Sequence, residues 1–341
     1  MVPKIPGCEA LDSRLPFPVH RIPSTYDTFP VKSIPPLWRL VQTERVDTVF
    51  HAQWQTLITS LTVRRGTGSP KQIFAAAHGR ELLLNPVRSV PLLGSGFDRL
   101  RRGILHRVDR FFPVSRYTAS LLQKDGVSSQ QIDVVKNGTD PERFHPVDAT
   151  GIRRSLGIDD RPVLLTVGRL VRRKGIDTVL EALPGVLRRV PEAVYVIAGD
   201  GPDRERLESL ARELNVYEHT RFAGRVPHDD LNDYYNACDV FVLTARTVPP
   251  SVEGFGIVFL EANACEKPVI GSRSGGIPDA IADGKTGYII DPGATNQLVE
   301  KAAYLLNHPE IAREMGRHGR RRILDSLTWK HVAERLYDQM C

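Results

Sequence analysis

The chain has 341 residues, 41% hydrophobic and 25% charged, which is the composition of a globular protein long enough for two domains of ordinary size. Its formal net charge of +6 is mildly basic; dense clusters such as Arg101-Arg102 and Arg320-Arg321-Arg322 lack interleaved aromatics, which argues against nucleic-acid binding. Cys8, Cys238, Cys265 and Cys341 form no Cys-x-x-Cys pair, no apolar run is long enough for a bilayer, and the N-terminus has no signal-peptide pattern, so the expectation is a cytoplasmic protein without structural zinc or disulfides.

In the first half, Val46–Phe50, Gln72–Ala77, Arg110–Val114 and Asp133–Lys136 have the composition of strands. The pattern predicts one helix over Leu100–Arg107 and another after Ser115, which suits an N-cap. The apolar positions Leu100, Ile104 and Val108, flanked by Arg101, Arg102 and Arg107, fit either an ordinary core face or a contact with an anionic membrane surface. A turn at Asn137-Gly138-Thr139-Asp140 leads through Pro141 and Pro146 into a polar stretch ending near Arg161, where the change of domain is expected.

The second half alternates regularly. β-rich runs at Val163–Val167, Val194–Ala198, Asp239–Leu243, Pro268–Gly271 and Gly287–Ile290 are separated by helical patterns, among them Ile176, Val179, Leu180, Leu183 and Leu187. Such alternation predicts a parallel sheet covered on both faces, with the ligand crevice at the carboxyl ends of its strands.

The chemistry-bearing runs fall at those ends. Glu253-Gly254-Phe255-Gly256-Ile257-Val258-Phe259-Leu260-Glu261 follows a strand and leads into an apolar helix. Bare glycine backbone at a helix N-terminus offers N–H groups to an anion, while Glu261, about two turns further on, can meet a neutral polyol. A nucleotide-sugar satisfies both; a tight turn with two solvated glutamates is the plainer alternative. Gly168-Arg169-Leu170-Val171-Arg172-Arg173-Lys174-Gly175 follows another strand, and its cations can neutralise a diphosphate or stand as a solvated loop. Ala198-Gly199-Asp200-Gly201-Pro202 and Ser274-Gly275-Gly276-Ile277-Pro278-Asp279 are read as tight turns entering helices. His78-Gly79-Arg80-Glu81 closes the strand Gln72–Ala77, a place equally open to a structural or a functional histidine.

Taken in order, these motifs resemble the retaining glycosyltransferases of family 4, and the resemblance covers nearly the whole chain. It implies an α/β GT-B architecture, two Rossmann-like parallel-sheet domains facing a cleft: an acceptor-side domain over 1–145, a nucleotide-sugar-binding domain over 146–325, and a terminal segment 326–341 crossing back to the first domain. It implies that Arg169 and Lys174 grip the donor diphosphate, with Arg172 and Arg173 solvated. Glu253 lies beside the sugar, and Glu261 accepts ribose hydroxyls. Gly168, Gly254, Phe255, Gly256, Ile257 and Val258 contribute further donor contacts, and the segment holding Arg225 and Val226 frames the base. His78 faces the transferred sugar near its anomeric centre. Asp279 departs from the family's usual Glu, and Trp329 is expected to be a packing anchor.

The activity implied is hexosyl transfer with retention, by front-face departure and attack, from a nucleotide-diphosphate sugar to a sugar, lipid or small-molecule acceptor. No Asp-x-Asp occurs, so neither an essential metal nor a cofactor is expected. The family's opening strand and Gly-rich loop have no counterpart before Val2-Pro3-Lys4-Ile5-Pro6-Gly7. That leads to the expectation of an incomplete first domain, and to the alternative of a weakly active or non-catalytic donor-binding protein. Peripheral contact with the inner face of a membrane fits the same family.

Overall fold

A computed structural model describes residues 1–3, 12, 15–25, 27–84 and 91–340, with the side chains of 91–94 excepted. Cys8, Cys341 and the run 4–7 lie outside the described residues. The chain divides into two compact units, Met1–Pro113 with Ala119–Val134, and Val114–Thr118 with Val135–Cys341.

In the first unit, β1 (Val2–Pro3) and β2 (Arg21–Ile22) form a short parallel pair. Separately, β3 (Thr48–His51), β4 (Gln72–Ala77) and β5 (Arg110–Pro113) form a parallel three-stranded sheet in that order. Ile73, Phe74, Phe111 and Phe112 are buried, and so are Leu57 and Val63 of α1 (Leu57–Thr67). The strand expected at Asp133–Lys136 does not form. Only a single bridge, Phe111 to Ile132, extends the ladder. Asp133 turns its carboxylate back to Arg110 at 2.8 Å, and from Val135 the chain belongs to the second unit.

The helix expected over Leu100–Arg107 is longer on its N-terminal side: α2 spans Pro91–Leu105, a beginning hidden in the sequence by Gly94 and Gly96. Its basic face is not one surface. Arg101 is buried and pairs with Asp125 at 2.8 Å, and Val108 is buried whereas Leu100 is exposed. The predicted helix after Ser115 is α3 (Arg116–Lys124), and Ser115 caps it by accepting from the Thr118 amide at 3.1 Å.

The second unit is built on six parallel strands: β6 (Val163–Val167), β7 (Val194–Ala198), β8 (Thr220–Gly224), β9 (Val240–Leu243), β10 (Val269–Ser272) and β11 (Gly287–Ile290). Their order is β11-β10-β9-β6-β7-β8. β6 pairs with β7 on one side and with β9 on the other, so successive connections leave in opposite directions on either side of β6. This is the doubly wound order, and its switch point lies between β6 and β9. β8 was not legible as a strand because it is an edge strand: only Thr220 of its five residues is buried.

Alternation along the strands divides the core between two faces. Val163, Leu165 and Val167 join one cluster with Phe241, Phe259 and Leu260. Leu164, Tyr195 and Ile197 point the other way, onto Val179, Leu180 and Leu183 of α4 (Ile176–Leu187). Trp329 is 47% exposed.

Candidate functional site

The loops that follow β6 and β9 meet at the switch point and are locked together by main-chain bonds. The loop after β6 tightens into a 3-10 turn over Arg172–Lys174 and ends at Gly175, whose φ of +69° is left-handed. A Cβ on Gly175 would stand 2.0 Å from the Thr244 carbonyl oxygen, so only glycine allows this approach. Thr244 Oγ1 donates to the Gly175 carbonyl at 2.7 Å, and the Arg246 amide donates to the Arg173 carbonyl at 2.8 Å. Arg246 also reaches Asp177 at 2.6 Å, tying the β9 loop to the first turn of α4.

This lock turns Lys174 inward. Its Nζ donates to Glu253 Oε2 at 2.6 Å, and Arg173 donates to the same oxygen at 2.8 Å. The Lys174 and Glu253 side chains are only 10% and 15% exposed. Burial acts to raise the Glu253 pKa, but the charges and hydrogen bonds of Lys174 and Arg173 outweigh it and hold the carboxylate below its ordinary value. Arg173 is therefore not the solvated residue expected from sequence; Arg172 is exposed.

Beyond Glu253, the Gly254 carbonyl accepts from Ser115 Oγ at 2.8 Å, and Phe255 buries its ring in the core. Gly256, with φ +91°, is the N-cap of α6, which runs over Ile257–Ala264 after α5 (Leu231–Ala237). No side chain caps α6 at Gly256; the Phe259 amide donates to the Gly256 carbonyl at 3.1 Å, and the amides of Ile257 and Val258 ahead of it are the ones a helix start offers to an anion. Ile257 and Val258 are half-buried against the core. Glu261 is one turn into the helix, not two, because the left-handed Gly256 delays the start to Ile257. Its Oε2 accepts from the buried Tyr235 hydroxyl at 2.5 Å. Burial raises its pKa, opposed by that hydrogen bond.

A cavity of about 430 Å³ opens at the carboxyl ends of β6 and β7, lined by Gly168, Arg169, Gly199, Asp200, Arg225 and Val226 among others. Arg169 and Arg225 are exposed and have no hydrogen-bond or ion-pair partner among the described residues. The Lys174 chain runs along Gly168, its Nζ 3.8 Å from where a Cβ there would stand. The structure thus gathers Gly168, Arg169, Arg225 and Val226 around one cavity and joins Lys174 to Glu253 beside it. Glu261 is held apart on α6 by Tyr235.

Asp279 is fully engaged elsewhere. Its carboxylate accepts from the Arg116 amide and guanidinium, both at 2.8 Å, at the start of α3. His78 belongs to the first unit. It is exposed, and its Nε2 lies 3.1 Å from the Ala52 carbonyl, to which it donates. Glu81 receives the His78 amide at 2.6 Å and the Gly79 amide at 3.2 Å, which closes the turn after β4.

Three contributors escaped sequence reasoning. Arg173 was masked by its run of basic neighbours, the Gly199–Gly201 turn was read as structural, and Tyr235 sits in a helix with no motif. The placement of Arg173 two residues before a left-handed glycine was the available signal.

The family profile described as glycosyl transferases group 1 matches residues 148–322, and that described as glycosyltransferase family 4 matches residues 6–143. The chain is 34% identical to a GDP-mannose-dependent alpha-(1-6)-phosphatidylinositol monomannoside mannosyltransferase of Mycolicibacterium smegmatis, over 98% of this chain and 87% of the relative. It is 30% identical to the enzyme of Corynebacterium glutamicum named for the monoacylated monomannoside, over 96% and 84%. Among solved structures, sucrose-phosphate synthase of Thermosynechococcus elongatus aligns with a TM-score of 0.75 at 24% identity, covering 96% of this chain and 81% of that one. Anabaena HepE in complex with UDP-glucose aligns with a TM-score of 0.77 at 17% identity, covering 97% and 88%. With its doubly wound second unit, its basic loop and its two glutamates at the switch point, the chain belongs to the group 1 glycosyl transferases of family 4, which share the GT-B architecture.

Proposed function

We propose that this glycosyltransferase moves a hexosyl group from a nucleotide-diphosphate sugar to a hydroxyl acceptor, with retention of anomeric configuration. The observation that carries the reading is a strand-end cavity beside β6 whose Gly168 wall carries the Lys174 side chain, with the cationic loop tied through Glu253 to the loop that leads into α6. In this reading Arg169, Lys174 and the first amides of α6 neutralise the leaving diphosphate. Their contribution is electrostatic and pre-positioned, so the reaction uses no metal and no cofactor. Gly168 and Gly254–Val258 line the donor, Arg225 and Val226 flank the base, and Glu261 receives ribose hydroxyls. Glu253 addresses the sugar, and His78 is assigned to orient its hydroxyls. The leaving phosphate takes the acceptor proton.

The relatives in Mycolicibacterium and Corynebacterium are named for GDP-mannose and for phosphatidylinositol mannosides. They support GDP-mannose as the donor and a lipid-borne mannoside as the acceptor, which makes contact with a membrane surface part of this proposal. No helix among the described residues is long and apolar enough to cross a membrane. A second reading, donor binding with weak transfer, is favoured by one observation: among the described residues, the strands of the first unit form two separate sheets.

The test is a panel of nucleotide-sugars, with and without EDTA, scored for release of nucleoside diphosphate, for thermal shift, and for the anomeric configuration of the product by NMR. Transfer from GDP-mannose with retention and insensitivity to EDTA is expected. Failure of every donor both to bind and to react overturns the reading; binding without transfer selects the second.

A further inference from the structure

Two cations and one anion share a nearly buried spot beside the cavity. Glu253 Oε2 holds Lys174 at 2.6 Å and Arg173 at 2.8 Å, and no carboxylate other than Glu253 is paired with either cation among the described residues. A diphosphate approaching Lys174 meets an ammonium that already carries the Glu253 carboxylate on one of its three donors. Two anions on one ammonium repel, and the repulsion is strong where water is scarce. A carboxylate pushed off its cations in such a place must find other donors, or its burial becomes costly. Sugar hydroxyls are such donors. A nucleoside diphosphate without the transferred hexose brings only its ribose hydroxyls, which the donor-site reading gives to Glu261, and carries one more negative charge on its terminal phosphate.

We propose that Glu253 is an internal counter-anion that discriminates against the sugar-free nucleoside diphosphate, holding Arg173 and Lys174 until a sugar-bearing donor supplies hydroxyls to its carboxylate. The proposal rests on the donor-site reading above. It assigns Arg173 to the anion site together with Lys174. It also gives the site a means of releasing product: once the sugar has left, Glu253 returns to its two cations and competes with the terminal phosphate.

The experiment is calorimetric titration of wild type, Glu253→Gln, Glu253→Ala, Glu253→Asp and Arg169→Ala with GDP, GMP and GDP-mannose, and with UDP, UMP and UDP-glucose in parallel. Glu253→Gln is expected to bind the nucleoside diphosphate about tenfold more tightly than wild type, with a smaller gain for the nucleotide-sugar and none for the monophosphate. Glu253→Asp, which keeps the charge but draws it back by one methylene, is expected to gain less than the amide. Glu253→Ala, made beside the amide, keeps the test readable where one of the two does not fold by thermal melting. A gain below threefold in the folded neutral variant, while wild type binds the diphosphate and Arg169→Ala weakens it, overturns the counter-anion and leaves the donor site standing. If no diphosphate binds wild type, the donor-site reading falls and this proposal falls with it.

Discussion

Lys174 Nζ lies 2.6 Å from Glu253 Oε2, across 79 positions of sequence, because the left-handed turn at Gly175 presses the loop after β6 onto Thr244. The contact changes what each residue does in the folded chain. Lys174 is a partner in a buried ion pair before any ligand arrives, whereas Arg169 stands exposed at the mouth of the cavity.

The two basic residues should therefore separate in stability. In a solvated loop, alanine at either position would leave the fold almost untouched. Lys174→Ala is now expected to cost up to about 3 kcal/mol, because it leaves Glu253 with Arg173 alone in a nearly buried place. Arg169→Ala should stay within about 0.5 kcal/mol of wild type while still weakening nucleotide diphosphate binding. Urea unfolding of both variants checks the difference; equal losses would remove the structural role of the pair.

Tyr235→Phe keeps the ring packed against Phe144 and Phe241 and removes only the hydroxyl bonded to Glu261. A half-buried carboxylate then loses its donor, and the expected cost is about 1–2 kcal/mol. The Glu261 pKa, already raised by burial, should rise further. NMR titration of the Glu261 carboxyl against pH in both proteins reads the shift. Glu261→Gln should lower nucleotide affinity, measured by the same titrations as above.

The first unit should weaken on mild acidification. His51 is buried between Thr56 at 2.7 Å and Ser60 at 2.8 Å, and burial pushes its pKa down to about 4 from 6.5. The folded state then holds fewer protons than the unfolded chain between those values. Stability is complete above pH 6.5 and is lost as pH falls towards 4, by at most about 3 kcal/mol. Denaturation from pH 7 to 4 should show this slope in wild type and a flatter one in His51→Gln.

Gly175→Ala should be among the most damaging single-methyl changes in the second unit. It combines a left-handed backbone with a Cβ 2.0 Å from the Thr244 carbonyl oxygen, and a loss of about 2 kcal/mol or more is expected. Thermal melting measures it. A nucleotide-bound form that recovers the lost melting temperature would show the turn being re-imposed by the ligand.

The sequence by itself carried the α/β alternation, the position of five of the six strands of the second unit, and the motifs whose order marks the family. Those features are local: a strand–turn–helix with its glycine declares itself within a short continuous stretch, as Val163–Gly175 and Val240–Leu260 do. The edge strand Thr220–Gly224 escaped because half-exposed residues lack the apolar signal of a buried strand. The false strand at Asp133–Lys136 arose because composition cannot tell a ladder from a chain that leaves it after one bridge. What only the tertiary structure decided is pairing. That Arg173 turns inward to Glu253 while Arg172 stays in water, and that Glu261 takes its hydrogen bond from Tyr235, are settled by the parallel register that sets β6 beside β9. Side-chain partners dozens of residues apart are chosen by where the sheet places their backbones, and a single sequence holds no local record of that choice.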